Sequence, residues 1–283
     1  MRYAILVCGP AGAGKSTFCT ALQTHMQTVK RTAHLFNLDP AADPGSFEYE
    51  PAIDIRDLIS LDDVMEELGF GPNGGLIYCF EYLLQNMDWL DEELGDYDND
   101  YIVIDCPESA GQIELYTHHP LLPTLMSHLS RLGIRLCGVY LLDSQFMEDR
   151  YKYFRYERLA NTKAHTNITY LVGLCPRCRQ CGDARNGVKG RRDVARFLDP
   201  DPFLMQSAPG QPSSTEEQNP RFHHLNEAII EDHPLVSFLP LNLSSTRSLD
   251  AVLSHIDYTM QYGEDEEPRE PKDMDQGDFV EME

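Results

Sequence analysis

Long apolar runs are missing from this sequence, and basic residues are few. No segment approaches the ~18 to 20 consecutive apolar residues that a membrane-spanning helix needs. The apolar stretch at the start, Tyr3 to Cys8, is also too short for a secretory signal, so we expect neither membrane insertion nor secretion. Only 23 Lys and Arg accompany 46 Asp and Glu, and the formal net charge of −23 repels nucleic acid phosphates. The composition therefore argues against direct binding of nucleic acid.

Charge is distributed unevenly along the chain. Residues 263–283 contain ten acidic side chains and little that could pack, which predicts a disordered acidic tail behind a folded domain at 1–262. Residues 150–196 instead carry twelve of the 23 basic residues against three acidic ones. Such a run is more often a solvated face than a binding patch for an acidic partner.

The eight cysteines do not complete a metal site in the sequence. Cys175, Cys178 and Cys181 form two overlapping CxxC steps, which would suit part of a zinc knuckle. Tetrahedral zinc needs four ligands, and no fourth Cys or His follows at the required spacing. Metal binding by these three residues stays open, and the other five cysteines are expected to be reduced core residues.

A phosphate-binding loop follows the first apolar run. The segment reads G-x-x-x-x-G-K-S-T between an expected strand and an expected helix, which is the context that this motif requires. Its glycines let backbone N–H groups turn toward a triphosphate, Lys15 would reach the β and γ phosphates, and Ser16 would hold Mg²⁺. The predicted nucleotide-binding residues are Gly9, Pro10, Ala11, Gly12, Ala13, Gly14, Lys15, Ser16 and Thr17.

Apolar runs alternate with helical patterns along most of the chain. Strands that alternate with helices behind a phosphate loop predict a P-loop NTPase, a single α/β domain with a mostly parallel sheet flanked by helices. Five apolar residues at helical spacing near the end of the domain are expected to face the core: Leu249, Val252, Leu253, Ile256 and Met260. The expected strands are 3–8, 32–38, 101–104, 136–142, 169–174 and 235–239, with helices at 121–132 and 248–262.

Two carboxylates follow expected strands. Asp105 fits the Walker B position, where a carboxylate polarises a Mg²⁺-bound water at the carboxyl edge of a parallel sheet. Asp39 could orient or deprotonate the attacking water, or join the metal shell. The alternative for Asp39 is a turn cap before Pro40.

Several segments together resemble the GPN-loop GTPases. The family takes its name from the tripeptide that stands here as Gly71, Pro72 and Asn73, and the resemblance covers about residues 3 to 154 and 196 to 272. Residues 197–201 and 255–265 make the chain most similar to the third eukaryotic paralogue. Further matching segments are 37–42 (NLDPAA), 54–58 (DIRDL), 62–65 (DDVM), 111–118 (GQIELYTH) and 143–146 (DSQF).

The resemblance implies a Mg²⁺-dependent GTPase that converts GTP to GDP. It also implies a heterodimer with a paralogous GPN-loop GTPase, with the first paralogue favoured, and a cytoplasmic protein that shuttles to the nucleus. The implied role is assembly and nuclear import of RNA polymerase II, and of RNA polymerase III, through contact with polymerase subunits. In the family pattern, Asn73 stabilises charge near the γ-phosphate, and Gly111 contacts the γ-phosphate through its N–H. Gln112 positions the attacking water, and Glu114 lies beside the site.

A three-residue insert departs from the family pattern. Residues 108–110 separate Pro107 from Gly111, where the family has no gap, and three extended residues span up to about 10 Å. A misplacement of even ~1 Å can cost about 100-fold in rate. The insert therefore favours a chain that binds nucleotide and hydrolyses it poorly, because Gln112 would be displaced.

The guanine-reading motif is the second departure. The family reads guanine with a Lys-x-Asp motif, and residues 162–165 (TKAH) offer His165 where the carboxylate is needed, so we assign no residue to the base. Because residues 155–192 have an unrelated composition throughout, we interpret them, and the insert, as a gene-model error that left a mistranslated segment. The alternative is a genuine divergent insert.

Two other functions stay open at this point. One is a nucleotide-binding assembly subunit with little or no hydrolysis, favoured by the insert and the missing guanine motif. The other is a small-molecule kinase, because such enzymes share the phosphate loop. The segments at 71–73 and 111–114 favour water over a second substrate as the phosphoryl acceptor.

Overall fold

Seven strands form one sheet in the computed structural model, which describes residues 2–43, 45, 49–95, 101–107, 121–143, 171–175 and 238–264. The strands are β1 Arg2–Cys8, β2 Ala33–Asn37, β3 Ile53–Asp54, β4 Tyr101–Asp105, β5 Ile134–Asp143, β6 Leu171–Cys175 and β7 Phe238–Leu239. Their order in the sheet is β3-β2-β4-β1-β5-β6-β7, and all neighbouring strands run parallel. The predicted fold class is therefore confirmed.

The central strand β1 places the phosphate loop beside the end of β4. Its residues 3–7 are buried, and alternate side chains enter two separate apolar clusters on the two faces of the sheet. A continuous apolar run thus becomes a strand that is covered on both faces. The parallel register aligns Val7 with Asp105, so the chain leaves β1 next to that carboxylate.

Helices cover both faces of the sheet. One apolar cluster is formed with α1 and α7, and the other with the remaining helices. Among the residues that the structure describes, no helix combines the length and apolar character needed to cross a membrane. The helices are α1 Lys15–Thr28, α2 Ile55–Leu58, α3 Leu61–Leu68, α4 Pro72–Gln85, α5 Met87–Leu94, α6 Leu121–Arg131 and α7 Thr246–Met260.

Most of the predicted elements are confirmed. The six expected strands correspond to β1, β2, β4, β5, β6 and β7, and the two expected helices to α6 and α7. The five apolar residues predicted to face the core from α7 are all buried. β6 lies inside the atypical segment 155–192 and still pairs with β5 and β7, while the rest of that segment and most of the predicted tail lie outside the described residues.

Two adjacent glycines in α4 predict opposite effects of the same substitution. A Cβ on Gly75 would lie 2.6 Å from Leu61 Cδ1, whereas one on exposed Gly74 would only touch Phe70 at 4.0 Å. Gly75→Ala should lower the free energy of unfolding by about 1 kcal/mol through overpacking between α3 and α4. Gly74→Ala should raise it by about 0.5 kcal/mol through helix propensity. Urea unfolding measures both, and changes of equal sign would contradict this packing.

Candidate functional site

The phosphate loop connects β1 to α1 through glycines that other residues could not replace. Gly9 has φ +156°, and a Cβ there would lie 2.6 Å from the carbonyl oxygen of Leu141 on β5. Gly14 caps the N-terminus of α1 in the left-handed conformation, with φ 84°. Gly14 O accepts a hydrogen bond from Phe18 N at 2.9 Å, so the helix begins immediately behind the loop. The predicted strand, loop and helix are therefore all present.

Lys15 is held inside the loop. Its side chain is fully buried, and its Nζ donates hydrogen bonds to the carbonyl oxygens of Gly9 and Pro10, both at 3.2 Å. A buried ammonium surrounded by loop carbonyls is a preformed cation at the helix N-terminus. The arrangement can exchange carbonyl oxygens for phosphate oxygens without moving the backbone.

Asp105 ends β4 beside the loop. Its side chain is only 3% exposed, and its Oδ2 accepts a hydrogen bond from the Tyr49 hydroxyl at 2.9 Å. Burial raises the pKa of Asp105 above its usual value, while the nearby Ser16 and Tyr49 hydroxyls and the Lys15 ammonium oppose that rise. The carboxylate is therefore desolvated but surrounded by groups that favour its charged form.

The second oxygen of Asp105 fits a metal-bound water. Oδ1 is buried and makes no hydrogen bond within the described part of the chain. An orphaned carboxylate oxygen in a closed site is costly unless a ligand or ion satisfies it. Together with the Ser16 hydroxyl it forms an all-oxygen donor set, which is the chemistry that Mg²⁺ prefers. The predicted metal residues, Ser16 and Asp105, therefore fit Mg²⁺.

Asp39 caps a turn and also lies near this carboxylate. Its Oδ1 accepts a hydrogen bond from Ala41 N at 3.0 Å, which is the turn-cap interpretation that the sequence left open before Pro40. The Asp39 charge contributes to the raised pKa of Asp105. One Asp39 oxygen thus stabilises the local turn, while the charge acts on the candidate site, and its role toward water stays a prediction.

A buried polar network fixes the loop that carries Asp39. Asn37, fully buried, donates to Asp39 O at 3.2 Å and to Asp54 Oδ1 at 2.9 Å. Arg56 Nε donates to both Asp54 oxygens at 3.0 Å, and Arg56 Nη1 donates to Ala42 O at 3.0 Å. Hydrogen bonds from Arg56 and Asn37 lower the pKa of Asp54 against the effect of burial, so the network stays charged.

The Gly-Pro-Asn tripeptide starts α4. Gly71 is the N-cap, Pro72 occupies the first helical position, and Gly75 N donates to Gly71 O at 2.8 Å. Proline suits that position because its missing N–H would have no partner in the helix. Asn73 follows on the exposed first turn. Its predicted contact with the γ-phosphate stays a prediction.

Several predicted site residues lie outside the described residues. They are Gly111, Gln112 and Glu114, together with the insert at 108–110. The lysine-containing segment at 162–165 and two of the three clustered cysteines, Cys178 and Cys181, also lie outside. Sequence reasoning missed Tyr49, Asn37 and the Asp54–Arg56 pair as contributors to the site.

The sheet, the loop and the Asp105 carboxylate together define a P-loop nucleoside triphosphatase. A family model described as "Conserved hypothetical ATP binding protein" matches residues 7–262. A protein named GPN-loop GTPase 3 from Mycosarcoma maydis is 52% identical over 99% of both chains. One of the same name from Schizosaccharomyces pombe is 48% identical over 99% of this chain and 98% of its own.

A solved structure supports the same fold. The apo form of a GTPase from Pyrococcus abyssi is 20% identical, has a TM-score of 0.66, and the match covers 92% of this chain and 98% of that one. The relatives and the family model show that the chain belongs to the GPN-loop GTPase family. The similarity to the third paralogue that the sequence predicted is confirmed by the names of these relatives.

Proposed function

We propose that this chain binds Mg²⁺ and GTP at the edge formed by β1 and β4 and hydrolyses GTP to GDP. The observation that carries the proposal is the placement of the phosphate loop beside Asp105, set by the register that pairs Val7 with Asp105. The relatives named as GTPases support guanine as the base.

Three side chains of the described site bind the phosphates and the metal. The Lys15 ammonium leaves the carbonyl oxygens of Gly9 and Pro10 and pairs with the β and γ phosphates. The Ser16 hydroxyl and the Asp105 carboxylate would hold Mg²⁺, Asp105 through water. When bound, Mg²⁺ neutralises charge that develops on the phosphoryl oxygens. Electrostatic stabilisation from fixed groups then supplies most of the rate increase.

Water is the proposed phosphoryl acceptor. Asp39, held by its turn near Asp105, orients that water. The family pattern assigns Gln112 to the same water, with Glu114 beside it and the Gly111 N–H on the γ-phosphate, and the insert at 108–110 would weaken these three contacts and slow the reaction. Asn73 of the Gly71–Asn73 tripeptide adds a dipole toward the developing charge. No covalent intermediate is required, because this reaction depends on positioning and charge.

A second candidate function is a nucleotide-binding assembly subunit with little hydrolysis. The observation that favours it is the insert at 108–110, which follows Pro107 directly at the end of β4. Binding of labelled GTP and ATP, measured beside single-turnover phosphate release with Mg²⁺, separates the two functions. Tight GTP binding with phosphate release supports the GTPase, and tight binding without release supports the subunit. Preference for ATP would contradict the GTPase and would leave the nucleotide-binding subunit as the remaining candidate.

We further propose that the chain pairs with a paralogous GPN-loop GTPase. Four exposed apolar side chains at the end of α3, in the following turn and along α4 define what we name the α3–α4 patch: Leu68, Phe70, Ile77 and Tyr82. The Phe70 ring packs edge-on against the neighbouring Tyr78 ring, with 5.7 Å between the ring centroids. Exposed apolar side chains of this kind support a protein partner.

Changing the α3–α4 patch is expected to weaken that pairing. Ile77→Glu places a charge on the exposed face of α4 and should weaken heterodimer affinity at least tenfold, because the charge would be buried in the interface. Tyr258→Glu, on α7 at 82% exposure, is the matched control and should leave the affinity unchanged. Analytical ultracentrifugation with the co-expressed paralogue measures both. Equal heterodimer affinities for the two variants would exclude the α3–α4 patch from the heterodimer interface.

The proposed cellular role is assembly and nuclear import of RNA polymerase II, and of RNA polymerase III, by a cytoplasmic protein that shuttles to the nucleus. The family relationship supports this role, and the acidic composition fits a protein partner better than nucleic acid. Depletion of the protein should leave the large polymerase subunits in the cytoplasm, as seen by microscopy. Unchanged nuclear polymerase after depletion would contradict the role.

A further inference from the structure

Tyr49 reaches the metal-site carboxylate from a separate loop. It lies between β2 and β3, and its hydroxyl donates to Asp105 Oδ2 at 2.9 Å across 56 positions of sequence. The ring is half-buried and packs against the apolar cluster that α1 and α7 share. A tyrosine hydroxyl is protonated at neutral pH, so here it donates and the Asp105 oxygen accepts.

This hydrogen bond contributes to which Asp105 oxygen faces a metal, beside the Ser16 hydroxyl and the Cys19 thiol, which also interact with the carboxylate. A carboxylate has two equivalent oxygens, and at 3% exposure bulk water does little to orient it. Tyr49 holds Oδ2, whereas buried Oδ1 makes no hydrogen bond within the described residues. Holding one oxygen fixes the direction of the other. Oδ1 is thereby left to meet a metal-bound water.

The loop that carries Tyr49 is anchored beyond both sides of that residue. On its C-terminal side, Ala52 N donates to Leu35 O of β2 at 2.8 Å. On its N-terminal side, Arg56 Nη1 donates to Ala42 O at 3.0 Å, and the Arg56 guanidinium pairs with Asp54. The Ala52 hydrogen bond, three residues after Tyr49, and the packing of the Tyr49 ring constrain this residue, and a constrained residue can orient its neighbour accurately.

We propose that Tyr49 is a positioning residue for Mg²⁺ binding, which it controls by orienting Asp105. The inference rests on the proposed GTPase function and adds to it a residue from the loop between β2 and β3. Tyr49 acts through Asp105 rather than on the nucleotide itself. Residues that orient a metal ligand typically contribute 10- to 100-fold to metal affinity.

Tyr49→Phe tests the proposal in the full-length chain, because it removes the hydroxyl and keeps the ring. With GTPγS bound, Mg²⁺ affinity from a fluorescence titration should fall about tenfold. Affinity for GDP in EDTA should stay unchanged, and the hydrolysis rate should recover at saturating Mg²⁺. Tyr258→Phe, whose side chain is 82% exposed on α7, is the control and should match the wild type in all three measurements.

The outcomes separate this inference from the proposed function. Wild-type protein without Mg²⁺-dependent GTPγS binding would overturn both. Wild-type binding with unchanged Mg²⁺ affinity in Tyr49→Phe would overturn the positioning role alone, as would an equal loss of GDP affinity in EDTA. A double-mutant cycle gives a second readout: in an Asp105→Asn background, Tyr49→Phe should cause no further loss of Mg²⁺ affinity. An additive loss would contradict action through Asp105.

Discussion

Replacing Lys15 with Ala is expected to lower kcat/KM for GTP hydrolysis roughly 1,000-fold. The Lys15 ammonium is fully buried in the phosphate loop and donates hydrogen bonds of 3.2 Å to two loop carbonyl oxygens. It is therefore already positioned for the phosphates. Removing one preorganised charge of this kind typically costs about 10²- to 10³-fold, and here ground-state binding is lost as well. Steady-state phosphate release across a range of GTP concentrations gives the value.

The control for this prediction is the other lysine in the described part of the chain, Lys30, which is exposed after α1. Lys30→Ala should leave kcat/KM within twofold of the wild type. Circular dichroism should show that Lys15→Ala remains folded, because the substitution removes a buried charge and no apolar contact of the core. A Lys15→Ala enzyme within tenfold of wild type would mean that the phosphates bind elsewhere.

Deleting residues 108–110 is expected to raise the single-turnover rate about 100-fold. The end of β4 is fixed, since Cys106 N donates to Val7 O of the central strand at 3.1 Å. From that fixed point, an insert that can span about 10 Å would move Gln112 and the Gly111 N–H away from the γ-phosphate. Deletion joins Pro107 to Gly111 and restores the family spacing.

A second variant distinguishes spacing from charge. Replacing residues 108–110 with three glycines removes the Glu108 carboxylate and keeps the length, so it should leave the rate low. Nucleotide affinity should change little in either variant, because Lys15 and Ser16 lie across the site on the phosphate loop. An unchanged rate after deletion would show that the insert is harmless, and a recovered rate with glycines would assign the effect to charge.

The central part of the site could be predicted because the residues that form it lie next to one another in the sequence. The phosphate loop needs its glycines at fixed spacing between a strand and a helix, and all of this lies within consecutive residues. Asp105 was identifiable because it directly follows an apolar run. The two-residue strand β3, Ile53–Asp54, is too short to show a periodic pattern, and only its pairing with β2 defines it.

The contacts that orient the site could not be predicted, because they join distant segments. Tyr49 meets Asp105 across 56 positions, and Asn37 meets Asp54 across 17, and neither pair has a spacing rule. For Asp39 the difficulty was different, because the sequence indicated two alternatives, a turn cap and a place near the metal, and could not choose between them. The structure confirms the turn and brings the charge close enough to act on Asp105.

Hydrogen–deuterium exchange with and without Mg²⁺ and GTPγS tests the central claim most directly, because it locates the nucleotide on the chain. The proposed site predicts slower exchange in peptides covering residues 9–17 and 101–107, and in the loop between β2 and β3 that carries Tyr49. Peptides from α5, which packs in the apolar cluster on the opposite face of the sheet from α1, should not change. Protection confined to other segments, or none in the phosphate loop, would contradict a nucleotide site at the edge of β1 and β4.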